Sequence, residues 1–154
     1  MRPLIAWLIL VCLPALLPAQ TPLLTPEDLR LSGWPEDADT ASVRKLLGPP
    51  LRTSSYTIRS DSTIYPRWVY PSLEVYFDDA GEALAVTLTG PGPRTSKGVQ
   101  VGDTVTALVT AYGLPHSTYQ EWQYWETEGS YMLIAKVVHG RVRQIHLGST
   151  LTGE

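Results

Sequence analysis

The chain has one cysteine, Cys12, one phenylalanine and no asparagine among its 154 residues. The lone cysteine sits inside an apolar N-terminal run, so a chain that loses this run has no thiol, no disulfide and no thiol nucleophile. The missing asparagine removes every Asn-linked glycosylation site and one thermolabile residue type. Charge is also sparse: Lys and Arg number 12 against 15 for Asp and Glu, a formal net charge of −3, which excludes a nucleic-acid binder built on a basic surface. Three histidines, His116, His139 and His146, show none of the close spacing of a metal site. Gly-x-Ser-x-Gly and the Gly-x-x-x-x-Gly-Lys-Ser/Thr phosphate loop are both missing. Asp78 and Asp79 are adjacent, so on a strand they point to opposite faces and cannot share a proton.

What is present begins with an address. Arg2, the apolar run Leu4 to Leu13, Pro14 and the exit Leu17-Pro18-Ala19 read as a secretory leader over residues 1–19, cleaved before Gln20. The run is too short for a spanning helix, and Val11 before Cys12 disfavours a lipoprotein signal, so the mature protein is expected in the periplasm or outside the cell, without a membrane span. Residues 20–38, with Pro22, Pro26 and Pro35, read as an extended arm.

The rest reads as one unit written twice, over 39–90 and 99–148, joined by a Gly/Pro-rich linker at 91–98 and followed by a tail at 149–154. Asp39-Thr40, Val43, Leu46, Leu47 and Gly48-Pro49 match Asp103-Thr104, Val105, Leu108, Val109, Tyr112 and Gly113-Leu114-Pro115. Gly81 to Leu88 matches Gly140 to Leu147, and Trp68-Val69-Tyr70 matches Trp122-Gln123-Tyr124. Each unit is predicted to open with a short helix capped by Asp39 or Asp103 and stopped by Gly48 or Gly113. A period of two then marks three or four strands per unit, with hairpin turns at Asp78–Gly81 and at His139-Gly140. The fold class expected is α+β: two tandem helix-plus-antiparallel-strand repeats forming one sheet with two helices on one face.

The string Gly98-Val99-Gln100-Val101-Gly102-Asp103-Thr104-Val105, with Tyr112-Gly113-Leu114-Pro115, Trp122-Gln123-Tyr124 and Gly140 to Ile145, resembles the SmpA/OmlA (BamE) group of small envelope proteins. It also resembles the tandem β-lactamase inhibitory protein fold. The resemblance implies a helix–strand repeat used twice, with a sheet face that grips other proteins. It implies no catalytic residue and no cofactor.

The aromatic strand residues divide by alternation. The recurrence of Trp-x-Tyr places Trp68, Tyr70, Trp122 and Tyr124 under the helices. Tyr119, Gln123 and Trp125 then fall on the opposite face, as do Glu74 and Tyr76 against Leu73, Val75 and Phe77. These residues, with Arg143 from the last strand, form the candidate contact surface: the aromatics supply buried area, while Glu74, Gln123 and Arg143 orient a partner. The expected function is non-enzymatic docking of a protein or envelope component on the helix-free face, as an assembly factor or an inhibitor. The alternative is a small envelope hydrolase using a histidine and a carboxylate.

Overall fold

Short apolar stripes and early stops determine the helices of this chain. The computed structural model describes residues 21–58 and 63–151. Helix α1 (Thr40–Leu47) starts where the Asp39 carboxylate accepts the Ser42 N–H at 2.7 Å, and ends at Gly48, whose φ of 77° only glycine adopts readily. Helix α2 (Val105–Tyr112) ends in the same way at Gly113. Its cap is Thr104, whose hydroxyl accepts the Ala107 N–H, and not the expected Asp103, which instead accepts the Gln100 N–H in the preceding turn.

The strands are β1 (Arg52–Thr57), β2 (Ile64–Val69), β3 (Leu73–Phe77), β4 (Ala83–Leu88), β5 (Ser117–Tyr119), β6 (Trp122–Glu126), β7 (Tyr131–Val138) and β8 (Arg141–Ser149). They form one antiparallel sheet in the order β1-β2-β3-β4-β8-β7-β6-β5. His139 and Gly140, both at positive φ, make the two-residue turn between β7 and β8. Bulges interrupt β4 and β8: Tyr76 pairs with Ala85 and Phe77 with Ala83, leaving Leu84 extra, while Lys136 pairs with Gln144 and Val137 with Val142, leaving Arg143 extra.

One face of the sheet carries the core. Val75, Phe77, Leu88, Leu133, Ile145 and Leu147 are almost fully buried there. The layer above them is mixed. Val43, Leu108 and Tyr112 come from the helices, Leu24 and Leu31 from the N-terminal arm, and Val99 and Val101 from the segment between β4 and α2. The arm contains a 3-10 turn at Pro26–Leu29 and is tied down by main-chain bridges Leu24↔Thr127 and Leu31↔Thr95. Lys97 clamps this layer: its ammonium lies 3.0 Å from the Asp28 carboxylate and 4.9 Å from the Tyr112 ring centre. Partial burial pulls the Asp28 carboxyl upward, but hydrogen bonds from Thr25 and Lys97 outweigh it and hold the group below its usual value.

This architecture corrects the expected fold class. The described residues form mostly one eight-stranded antiparallel sheet with two α-helices of eight residues each, and not a tandem helix-plus-strand repeat roofed by two helices. The physical reason is reach. An eight-residue helix spans about 12 Å, too little to cover four strands, so the arm and connecting segment complete the layer. The leader at residues 1–19 lies outside the described residues, as does the tail beyond Leu151. Among the described residues no helix is long and apolar enough to cross a membrane.

Candidate functional site

The face of the sheet opposite the core holds a second set of side chains. Strand register places them in ranks. One rank runs Glu74, Thr87, His146, Ile134, Tyr124 and Ser117 across β3, β4, β8, β7, β6 and β5. A neighbouring rank runs Ser54, Arg67, Tyr76 and Ala85 from β1 to β4. Between the two halves of the sheet lies a groove of about 480 Å³. Tyr56 and Tyr76 form one wall, Trp122 and Tyr124 the other, and Thr87 and His146 contribute to the lining between them. Leu151 closes against Ile58, Tyr76 and Ala85 in a small apolar cluster of its own.

The tyrosine wall is held by packing and hydrogen bonds. Tyr56 and Tyr76 pack edge to face with centroids 5.7 Å apart. The Tyr76 hydroxyl donates to Glu74 Oε2 at 2.7 Å, and the same oxygen lies 3.5 Å from Arg67 Nη1. Burial, reinforced by the Glu74 carboxylate, pushes the Tyr76 phenol up to about 12, so it remains a donor at neutral pH. Opposite, the Lys136 ammonium stands 5.6 Å from the Trp122 ring centre and 3.4 Å from Glu121.

His146 has a defined tautomer. Nε2 lies 2.8 Å from the Ser149 carbonyl oxygen, which can only accept, so Nε2 carries the proton. Nδ1 therefore accepts from the Thr87 hydroxyl at 2.9 Å. Burial pushes the imidazole below its ordinary value despite the Ser149 carbonyl, so the ring is held neutral. His116 uses the same tautomer elsewhere: Nε2 donates to the Thr21 carbonyl, and Nδ1 accepts the Glu126 N–H, both at 3.0 Å. His116 thus fastens the arm to the sheet, whereas His139 is spent in a turn.

The sequence-derived contact residues are dispersed by the structure. Glu74 and Tyr76 stand on the outer face as read, and Tyr119, 66% exposed, joins them there because it pairs directly with Trp122. Trp125 is a correction. It is fully buried in the main core, and its Nε1 donates to the Gly113 carbonyl at the end of α2. Gln123 shares that inner side, with Oε1 buried and unpartnered among the described residues. Arg143 is exposed at the β8 bulge.

Trp122 and Tyr124 are the converse correction, since they line the outer groove rather than pack under α2. Trp68 and Tyr70 do belong to the core side, Trp68 with its centroid 4.8 Å from Phe77. Sequence reasoning missed Tyr56 and Thr87, and weighed His146 only as the imidazole of the hydrolase alternative, not as part of the contact surface. The signal for His146 is in the chain: Ile145 and Leu147 flank it as core residues, and alternation puts His146 on the other face.

A larger cleft of about 970 Å³ lies between the arm and β4 and β8. Its lining mixes apolar residues of the arm, among them Leu24, Leu29 and Trp34, with carboxylates of which Asp39 caps α1.

No family model matches the chain, and no curated protein matches it. Among solved structures it is similar to that of a DUF4309 family protein, YjgB, from Bacillus subtilis, with 12% identity and a TM-score of 0.47, over 75% of this chain and 80% of that one.

Proposed function

We propose that this protein is a secreted or periplasmic, non-catalytic module that docks a protein or envelope component on the outer face of its sheet. One observation carries the reading: the groove between the Tyr56–Tyr76 wall and the Trp122–Tyr124 wall. Aromatic side chains held rigid before contact lose little entropy when a partner covers them, which is why such residues dominate binding energy. Tyr119 extends the aromatic surface to the sheet edge, and Glu74, Arg67 and Lys136 supply charges of both signs around it. The resemblance of residues 98–145 to families of binders points the same way.

The hydrolase alternative asks for an imidazole paired with a carboxylate. Here His146 is bonded to Thr87 and to a main-chain carbonyl, and the Glu74 carboxylate is taken by Tyr76 and Arg67. The docking reading needs no proton transfer and is favoured on that ground.

The test is affinity capture from an envelope extract with the purified protein, alongside a Trp122→Ala, Tyr124→Ala variant of unchanged circular dichroism. A polypeptide retained by the wild type, lost with the variant and binding again when purified, supports the reading. Equal retention by both proteins removes the outer face as the docking site. Retention of nothing, together with ester hydrolysis that His146→Gln abolishes, turns the assignment to the hydrolase.

A further inference from the structure

We propose that the protein forms a two-fold symmetric dimer in which β1 pairs antiparallel with β1 of a second copy, continuing the sheet from one chain into the next. The inference is independent of the docking reading and uses a different part of the molecule.

The two edges of the sheet are unlike. β5 has three residues, too few to hold a neighbouring strand. β1 has six, in an unbroken ladder with β2 from Arg52↔Val69 to Thr57↔Ile64. Its outward side can be read from the ladder. Ile58 N–H donates to the carbonyl of its direct partner Thr63 at 2.9 Å, so by antiparallel alternation Tyr56, Ser54 and Arg52 also turn their main-chain groups toward β2. Thr53, Ser55 and Thr57 then aim theirs at the outer edge, where no other described strand pairs. Pro66, directly opposite Ser55, agrees, because in this register its nitrogen faces away from β1 and no donor is needed toward that strand. Pairing of β2 with β3 begins only at Arg67, the next residue.

Soluble proteins blunt such an edge with proline, lysine or a bulge. The stretch 53–57 has none of these, the charge of Arg52 and the doubled pairing of Leu51 and Arg52 with Val69 being confined to the strand's head, and the strand is exposed at Arg52, Thr53, Ser55 and Thr57. Exposed apolar residues flank it instead: Leu51, 71% exposed, at its head and Ile64, 57% exposed, beside its foot.

The occupant that fits is a second copy, because β1 is complementary to itself. A two-fold axis through Ser55 sets Ser55 against Ser55, Thr53 against Thr57, Ser54 against Tyr56 and Arg52 against Ile58. All three outward residues then meet outward residues, giving about six main-chain hydrogen bonds. No like charges oppose one another, since the two Arg52 side chains lie about 20 Å apart at opposite ends. Such an interface is closed, so assembly stops at two chains.

The test is sedimentation of the purified protein over a concentration series, with amide exchange followed at Thr53, Ser55 and Thr57. The wild type should approach twice the single-chain mass as concentration rises, with these amides slowing in step. Ser55→Ala, which keeps the main chain, should behave alike. Ser55→Pro removes the central donor on a side β2 does not use, and should weaken association at least tenfold with an unchanged circular dichroism spectrum. A wild type of single-chain mass at every concentration overturns the dimer, as does undiminished association of Ser55→Pro. Should Ser55→Pro misfold, edge amides of the wild type and Ser55→Ala that ignore concentration overturn it alone. Protection of those amides only by an added foreign polypeptide would likewise reject the second copy as occupant.

Discussion

Trp125 donates its indole N–H to the carbonyl of Gly113 at 3.1 Å, and Tyr70 donates its hydroxyl to the carbonyl of Gly48 at 3.2 Å. Each aromatic residue therefore holds the glycine that ends a helix, satisfying one of the carbonyls a helix terminus leaves without a partner. Replacing Trp125 by Phe should cost about 1–3 kcal/mol by orphaning that carbonyl, and replacing it by Ala about 3–5 kcal/mol by opening a cavity. Urea denaturation with an unchanged slope checks both. Tyr70→Phe, at a less buried bond, should cost about 0.5–1.5 kcal/mol.

The pairing also explains what the sequence conceals. Three aromatics in Trp122-Gln123-Tyr124-Trp125 fill both faces of β6, so alternation fixes which residues share a side but not which side is inner. Matching Trp-x-Tyr triplets assigned the core to Trp122 and Tyr124, whereas the true counterpart of Tyr70 is Trp125. Features governed by local chemistry were legible: the glycine stops, the His139-Gly140 turn, the strands, and the face of Glu74 and Tyr76. The groove was not, because it forms where β4 meets β8, and no short-range signal encodes that seam. Nor was the arm's share of the core, since Leu24 and Leu31 lie in no periodic segment.

Stability should decline in two ranges as the pH is lowered. His146 is held neutral, with its folded pKa below the unfolded value of 6.5. Above that value both states are neutral and the residue contributes no pH dependence. As pH falls below it, the unfolded chain takes up a proton that the folded chain refuses, so stability declines from about pH 6.5 down to the lower folded value. His146→Gln should flatten this limb in thermal melts across pH. A later decline belongs to Asp28 and Asp39, whose folded carboxyls lie below 3.8 and whose contribution disappears as pH drops through that range.

Gly148 should tolerate no side chain. A Cβ there would press on the Leu84 carbonyl oxygen and lie 2.7 Å from Ala85 Cα, and its φ of 122° disfavours any other residue. Gly148→Ala must push β8 from β4 and should destabilise by about 2–6 kcal/mol, the combined range for backbone strain and overpacking. Equilibrium unfolding measures it.

His116 should control the order of the arm. Its replacement by Ala removes the bond to the Thr21 carbonyl and the acceptor for Glu126 N–H. Amide exchange at Leu24, whose N–H bonds to the Glu126 carbonyl at 2.8 Å, should accelerate at least tenfold while β7 and β8 keep their protection. Unchanged exchange would show that the Leu24 and Leu31 burial alone retains the arm.

The strand order bears on how quickly the chain can find its structure. Six of the seven neighbouring strand pairs join strands consecutive along the chain, and only β4 with β8 does not. Each group of four can assemble through short loop closures, which are fast, leaving a single distant encounter to complete the sheet. That encounter rests on four residue pairs, from Ala85↔Gly148 to Leu88↔Ile145. Changes along this one line of contacts should therefore slow folding, while changes in the outlying hairpins should mainly hasten unfolding.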